Sequence, residues 1–238
     1  MPERPRLRVG GLQLLTAVDW PGRLAAIVFA QGCPWRCRYC HNRELTPLTA
    51  PGMTPWPDVL DQLSARRGFL DAVIFSGGEP TMQSALPDAI AQLADLGFDV
   101  ALHTNGFDPE ALQRALDTGA AAFVAMDVKA PFERYQDVTT IPASGRAARD
   151  SVELLIASGV PYELRTTYHP ALLSHGDLRQ IAAEIAELGA ATWFIQKFRR
   201  EGCPSRALRD SVLLPAEVPA EMQSEVAAMF DEFGVREA

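Results

Sequence analysis

Six apolar runs of strand length recur along the chain, separated by stretches whose apolar positions repeat at helical spacing. The runs are LAAIVFA (24–30), AVIF (72–75), DVALH (99–103), AFVAMDV (122–128), YELRTTY (162–168) and TWFIQKF (192–198). They are continuously apolar rather than alternating, the pattern of parallel strands covered on both faces. The stretches SALPDAIAQLADLG, PEALQRALDTG, RAARDSVELLIASG and GDLRQIAAEIAELG are amphipathic, and each ends at a glycine suited to a helix C-cap. Asp108 and Pro109 supply an N-cap and a first-turn proline. This alternation predicts an α/β fold of parallel strands with outer helices.

Repeat length narrows the architecture. Six units fit within residues 24–198, so each takes about 29 residues, close to one βα unit of a (β/α)8 barrel. The 40 residues that follow cannot hold two more units. They can hold one helix, PAEMQSEVAAMFDEFG, with Met222, Val226, Met229 and Phe233 on one face. A partial (β/α)6 TIM-like barrel is therefore favoured, with a doubly wound open sheet as the alternative. The expected organisation is one domain, 1–238, with a core of about 11–198 and an extension, 199–238, carrying that helix. The proline- and threonine-rich LTPLTAPGMTPWP is expected to be a loop inside the first βα unit.

Composition adds exclusions. Hydrophobic residues make up 47% and charged residues 22%, ordinary values for a globular protein. A net charge of −8 argues against a dominant nucleic-acid surface, which needs clustered cations. The opening MPERPRLRVGG has no apolar segment after it, and LAAIVFA is too short to cross a bilayer. No membrane association is expected. The expected compartment is the cytoplasm, where thiols stay reduced. Lysine occurs only at Lys129 and Lys197 in an otherwise arginine-biased chain, so a lysine at a strand end is conspicuous.

The chemistry concentrates in GCPWRCRYCHN, residues 32–42, directly after the first run. Cys33, Cys37 and Cys40 are spaced C-x3-C-x2-C. Structural zinc wants four ligands, and the adjacent His41 is poorly placed to complete a tetrahedron with Cys40. Cys37 to His41 also matches the c-type haem attachment pattern, but that leaves Cys33 unexplained and normally needs export. An iron–sulfur cluster fits best, because a loop with short cysteine spacings can wrap it. Three ligands for four irons leave one iron open, and an open position in a metal site generally signals chemistry.

Cys33-x-x-x-Cys37-x-Tyr39-Cys40 resembles the C-x3-C-x-aromatic-C signature of radical S-adenosylmethionine (SAM) enzymes. The longer string DWPGRLAAIVFAQGCPWRCRYCHN is similar to the activases of glycyl-radical enzymes, most of all those serving anaerobic ribonucleoside-triphosphate reductase. The resemblance implies a [4Fe-4S] cluster on Cys33, Cys37 and Cys40, with SAM on the fourth iron. It also implies reductive cleavage of SAM to a 5′-deoxyadenosyl radical that takes hydrogen from a glycine of the partner enzyme. No acid–base catalytic residue is then expected, since the cofactor carries the hard chemistry.

Further residues follow from the resemblance. SGGEP would hold the SAM amino group through Gly77, Gly78 and Glu79, although a bare GGE is otherwise a tight strand-to-helix turn. HTNG places Thr104 and Asn105 at a strand end where barrels bind ligands. The related activases often have aspartate where His103 stands. DVKAP would use Asp127 and Lys129 toward the SAM ribose or carboxylate, or else close the strand end as an ion pair. Arg165 is balanced between a carboxylate contact and a buried ion pair. Tyr39 and His41 would lie against the adenine, and Trp35 would cover the cluster. Arg36, Arg38 and Arg43 would form either a solvated face or a dock for an acidic electron donor such as flavodoxin. Cys203 is expected to be a buried thiol. Two other readings stand beside the activase. One is a radical SAM enzyme acting on a small molecule or peptide, such as a 7-carboxy-7-deazaguanine synthase relative. The other is a non-catalytic metal-binding module.

Overall fold

The computed structural model describes residues 6–237, so residues 1–5 of the charged opening segment lie outside the described residues. The strands are β1 (Val9–Thr16), β2 (Ala25–Ala30), β3 (Ala72–Gly77), β4 (Asp99–Thr104), β5 (Ala121–Asp127), β6 (Tyr162–Tyr168), β7 (Thr192–Lys197) and β8 (Glu232–Arg236). Between them run α1 (Trp56–Ser64), α2 (Leu86–Asp95), α3 (Pro109–Leu116), α4 (Tyr135–Thr139), α5 (Ser144–Ser158), α6 (His175–Glu187), α7 (Arg206–Arg209) and α8 (Ala220–Ala227). The six apolar runs become β2 to β7, each within two residues of its expected ends.

The sheet order is β1 through β8 in sequence. A doubly wound sheet reverses its strand order at a switch point. Here every strand neighbours its predecessor and its successor, the order of a (β/α) barrel. Two compact units are distinguished: residues up to Pro34 with Glu44–Thr104 and Glu110–Val124, and Trp35–Arg43 with Asn105–Pro109 and Ala125–Ala238.

In the first unit, β2 pairs with β3 and β3 with β4 in parallel register, while β1 runs antiparallel to β2. Ala25 to Val28 and Ala72 to Phe75 are all buried, so both faces of these strands are covered. On one face Ala25, Ile27, Ala72, Ile74 and Ala101 cluster, and Trp20, Phe29 and Phe123 pack against them. Small alanines leave room for the Trp20–Phe123 stack, whose centroids are 5.4 Å apart.

In the second unit, β6, β7 and β8 pair in parallel. Trp193 is fully buried, lies 5.7 and 5.6 Å from the Phe230 and Phe233 rings, and donates to Thr166 Oγ1 at 3.0 Å. The helix expected over 219–234 corrects here to α8 followed by β8. Met222 and Val226 are buried as expected, but Met229 is 41% exposed and Phe233 belongs to the strand. Pairing from Thr192↔Glu232 to Gln196↔Arg236 outweighs the helical spacing, and Phe233 and Val235 suit a strand. β1 is a further strand beyond the six, its signal diluted by Gly10 and Gly11. Among the described residues no helix is long and apolar enough to cross a membrane.

Candidate functional site

The first unit joins the ends of β2 and β3 through backbone. Gly78 N donates to Ala30 O at 2.9 Å and Glu79 N to Gly32 O at 2.8 Å. Gly32 N donates to Leu45 O, and Cys33 N to Thr46 O, so the residues that introduce the first cysteine are tied on two sides. A Cβ on Gly78 would sit 2.2 Å from Gly32 O, and Gly77 has φ +104 with Ala30 N only 2.7 Å from where its Cβ would be. Glycine is required here because one strand end passes against the other. The tight-turn reading of GGE is therefore correct as geometry, and it places Glu79 beside the start of the cysteine string.

Glu79 is fully buried. Its Oε1 accepts from Thr81 N at 3.0 Å, Thr81 Oγ1 at 2.6 Å and Thr104 Oγ1 at 2.7 Å. Two of the expected site residues, Glu79 and Thr104, thus touch. The donors are neutral and fixed by a turn and a strand end, so the carboxylate is held in one orientation.

The second unit contains the rest of the cysteine loop. Cys40 N donates to Cys37 O at 3.1 Å, a tight turn that puts the two thiols on one short segment. Tyr39 is buried, with Lys129 Nζ 5.7 Å from its ring centroid. Lys129 Nζ pairs with Asp127 Oδ2 at 2.9 Å, so the ion pair named as the alternative to a SAM contact is formed at the end of β5. Burial acts to lower the Lys129 ammonium, but Asp127, followed by Tyr39, Cys37 and Tyr135, outweighs it and holds the ammonium well above its ordinary range. Burial pushes the Cys37 thiol up, and Lys129 opposes that shift. Burial likewise raises the Tyr39 phenol, which stays protonated. A permanent cation beside Cys37 favours the thiolate that a metal would replace a proton to reach.

Other expected residues have local partners. Arg165 pairs through Nε with Glu163, whose carboxylate also takes both terminal nitrogens of Arg236 at 3.1 Å. The ion-pair reading of Arg165 is realised. His41 Nε2 lies 2.9 Å from Arg199 O, its ring tilts on Phe198, and burial lowers its pKa. Asn105 Oδ1 accepts from Phe107 N at 3.0 Å, closing an Asx turn after β4. His169 is buried, accepts from Ala171 N at Nδ1 and faces Leu208 O with Nε2, a structural histidine. Trp35 packs edge-on to Tyr135 with centroids 5.6 Å apart. Cys203 is buried, and its neighbour Gly202 lies against His41.

Two residues escaped the sequence reading. Thr81 supplies two donors to Glu79 Oε1, and its only signal is its place two residues on, where an acidic cap reaches. Tyr135 spans the turn after β5 through its hydroxyl, and no motif announces it. All four cysteines are free of disulfides. Among the described residues no three His, Cys, Asp or Glu side chains gather around a point suited to one metal ion. A cubane takes each thiolate on a different iron, so its ligands need not share such a point.

Comparison with known proteins agrees with this picture. The Radical SAM superfamily model matches residues 27–189, which include all three clustered cysteines and the GGE and DVK strand ends. A Methanocaldococcus jannaschii protein, provisionally named a glycyl-radical enzyme activating enzyme, is 30% identical over 184 residues, 75% of each chain. The pyruvate formate-lyase-activating enzyme of Listeria monocytogenes is 38% identical over 80 residues, 32% of each chain. Among solved structures, Streptococcus suis SuiB bound to S-adenosylmethionine aligns with a TM-score of 0.60 at 11% identity, covering 87% of this chain and 45% of SuiB. The chain thus spans less than half the length of SuiB and about a third of the Listeria enzyme. The SuiB likeness concerns the fold. Radical SAM enzymes use a [4Fe-4S] cluster and SAM. With a family match over more than half its length, starting inside β2 and ending past α6, the chain belongs to the radical SAM superfamily.

Proposed function

We propose that this chain is an activase that uses a [4Fe-4S] cluster and SAM to install a glycyl radical on a partner enzyme, an anaerobic ribonucleoside-triphosphate reductase. The observation that carries the reading is the relative from Methanocaldococcus jannaschii, whose similarity extends over 75% of both chains rather than over the cysteine motif alone. Cys33, Cys37 and Cys40 hold the cluster. Their thiols, none of them in a disulfide, and the Lys129 ammonium beside Cys37 suit a thiolate-bound group. When bound, the cluster supplies one electron to SAM, which yields methionine and the adenosyl radical.

The chain's own residues bind, orient and shield. Glu79, fixed by Thr81 and Thr104, accepts from the SAM ammonium, with Gly77 and Gly78 setting its approach. Asn105, Asp127 and Lys129 face the ribose and carboxylate, Arg165 lends charge from β6, and Tyr39 and His41 wall the adenine. Trp35 and Tyr39, both buried, exclude water. Arg36, Arg38 and Arg43 receive an acidic flavodoxin-like donor in the cytoplasm; Arg38 and Arg43 are exposed. Single domain organisation over 1–238 belongs to the same proposal.

Anaerobic reconstitution tests it. About four iron and four sulfide per chain are expected, with methionine released from SAM under dithionite. Mixing with an anaerobic reductase should then give a glycyl EPR doublet. SAM cleavage without that doublet would favour action on a small molecule or peptide. Absence of both cluster and cleavage would leave only a metal-binding module.

A further inference from the structure

The turn bearing Asp127 and Lys129 and the loop bearing Cys37 and Cys40 share one short buttress, α4. Its first residue, Tyr135, is 1% exposed. The Tyr135 hydroxyl accepts from Lys129 N at 3.0 Å and donates to Asp127 O at 3.1 Å. One phenol oxygen therefore closes the turn over residues 127–129 from both sides. The same ring meets Trp35 of the cysteine loop edge-on and stacks on Phe132, with centroids 6.2 Å apart.

The far end of α4 grips that loop by its backbone. Thr139 O accepts from Arg36 N at 3.2 Å, Val138 O accepts from Arg38 N at 3.0 Å, and Thr140 Oγ1 donates to Arg36 O at 3.3 Å. Thr140 adopts φ +61, an uncommon conformation for a β-branched residue, which turns its hydroxyl toward the loop. Thr139 Oγ1 donates to Tyr135 O at 3.1 Å and bonds Ser144 Oγ at 2.7 Å, locking the helix to the start of α5. Five residues thus hold the strand end with one side chain and the loop with two carbonyls.

We propose that Tyr135 is a positioning residue. Its hydroxyl keeps the Asp127–Lys129 turn in register with the segment of Cys37 and Cys40, so that a ligand held by that turn meets the thiolates at a fixed distance. The inference rests on the proposed function for the ligand, SAM, but not for the geometry. Replacing Tyr135 by phenylalanine leaves the ring, the Trp35 contact and the grip of α4 in place. It removes the one oxygen that joins Lys129 N–H to Asp127 C=O, loosening the two ends of the turn while Val128 stays tied to Arg165 O and Thr166 Oγ1 of β6 and the loop stays anchored. Loss of loading and loss of alignment are thereby separated.

The test compares wild type and Tyr135→Phe, both reconstituted anaerobically as the full chain. Iron and sulfide content and the EPR spectrum of the reduced cluster without SAM should match. The SAM dissociation constant should rise roughly tenfold, the low end for residues acting through others at a metal site. The change in cluster g-values on adding SAM should shrink or broaden. A lower Tm with SAM affinity and the SAM-induced EPR change intact would make Tyr135 structural only and overturn the proposal. If Tyr135→Phe fails to fold, 4-aminophenylalanine at 135 keeps a donor for Asp127 O and weakens the acceptor for Lys129 N–H. Intermediate SAM affinity is expected, and wild-type values would overturn the proposal. If wild type itself takes up neither cluster nor SAM, the proposed function fails. If wild type takes up both and the variants equal it, only the role of Tyr135 fails.

Discussion

At the end of β3 the joint is made of backbone: glycine amides and carbonyls interlock with the end of β2, and one buried carboxylate is held by neutral donors. At the end of β5 the joint is made of charge and aromatic rings: Lys129 on Asp127, Lys129 over Tyr39, and Tyr135 against Trp35. The first arrangement has no slack, because the space for a single methyl group is already filled. The second keeps Asp127 41% exposed at its side chain, so water can relax part of any loss. Substitutions should therefore act through shape at the first joint and through field at the second.

The largest effect is expected from Gly78→Ala. The new Cβ would meet Gly32 O at 2.2 Å and Leu45 O at 2.9 Å, both backbone, so a strand end must move. A loss of about 3 kcal/mol is expected, the upper part of the range for overpacking. That corresponds to a fall in Tm of about 10 °C for a chain of this size. Iron uptake should fall with it, since Gly32 leads into Cys33. Unchanged Tm and iron content would mean that the joint yields easily, and the contrast between the two regions would dissolve.

Next comes Glu79→Gln, which keeps Oε1 and its three neutral donors but discards the charge. Stability should change by no more than about 1 kcal/mol, the worth of one ordinary hydrogen bond. SAM affinity should drop about tenfold or more through loss of a charge-assisted bond. Equilibrium binding of labelled SAM to the reconstituted protein reads the second, and urea unfolding the first. Loss of stability with full SAM affinity would show that the carboxylate serves the turn alone. Lys129→Met should cost a similar amount of stability, about 1 kcal/mol, because the abandoned Asp127 carboxylate reaches solvent. SAM affinity should fall a few-fold.

Much of this was legible in the chain. The strands β2 to β7 stand out because parallel strands covered on both faces leave no polar alternation to confuse the pattern. Glu79, Thr104, Asp127 and Lys129 stand out as candidates because each sits where an apolar run stops, and Cys33, Cys37 and Cys40 because of their close spacing after the first run. Tyr135 could not be found that way. It works from the start of the short helix α4, six residues beyond Lys129, through backbone groups that carry no residue identity. Arg165 was ambiguous because its partner Glu163, two residues back on β6, is also bridged by Arg236 of β8, and β8 occupies residues whose spacing imitates a helix. Local pattern identifies what a strand presents. It does not identify which distant backbone it leans on.

The smallest expected effect is also the one that best isolates the field at the second joint. In the metal-free protein, burial raises the Cys37 thiol above its ordinary value of about 9. The folded state then holds that proton more tightly than the unfolded chain does, so its contribution to stability is complete below the unfolded value and is lost as pH rises past it. Lys129 and Tyr39, also raised in the fold, act with the same sign at higher pH. Urea midpoints of reduced, metal-free protein should therefore decline between pH 8 and about 10. Cys37→Ser should decline less, since it removes one of the titrating groups. Lys129→Met acts in the opposite direction on the thiol: without the ammonium, burial is less opposed, the folded value climbs further, and the decline assigned to Cys37 grows. A Cys37→Ser variant that falls in parallel with wild type would remove Cys37 from the account and leave Lys129 serving only Asp127.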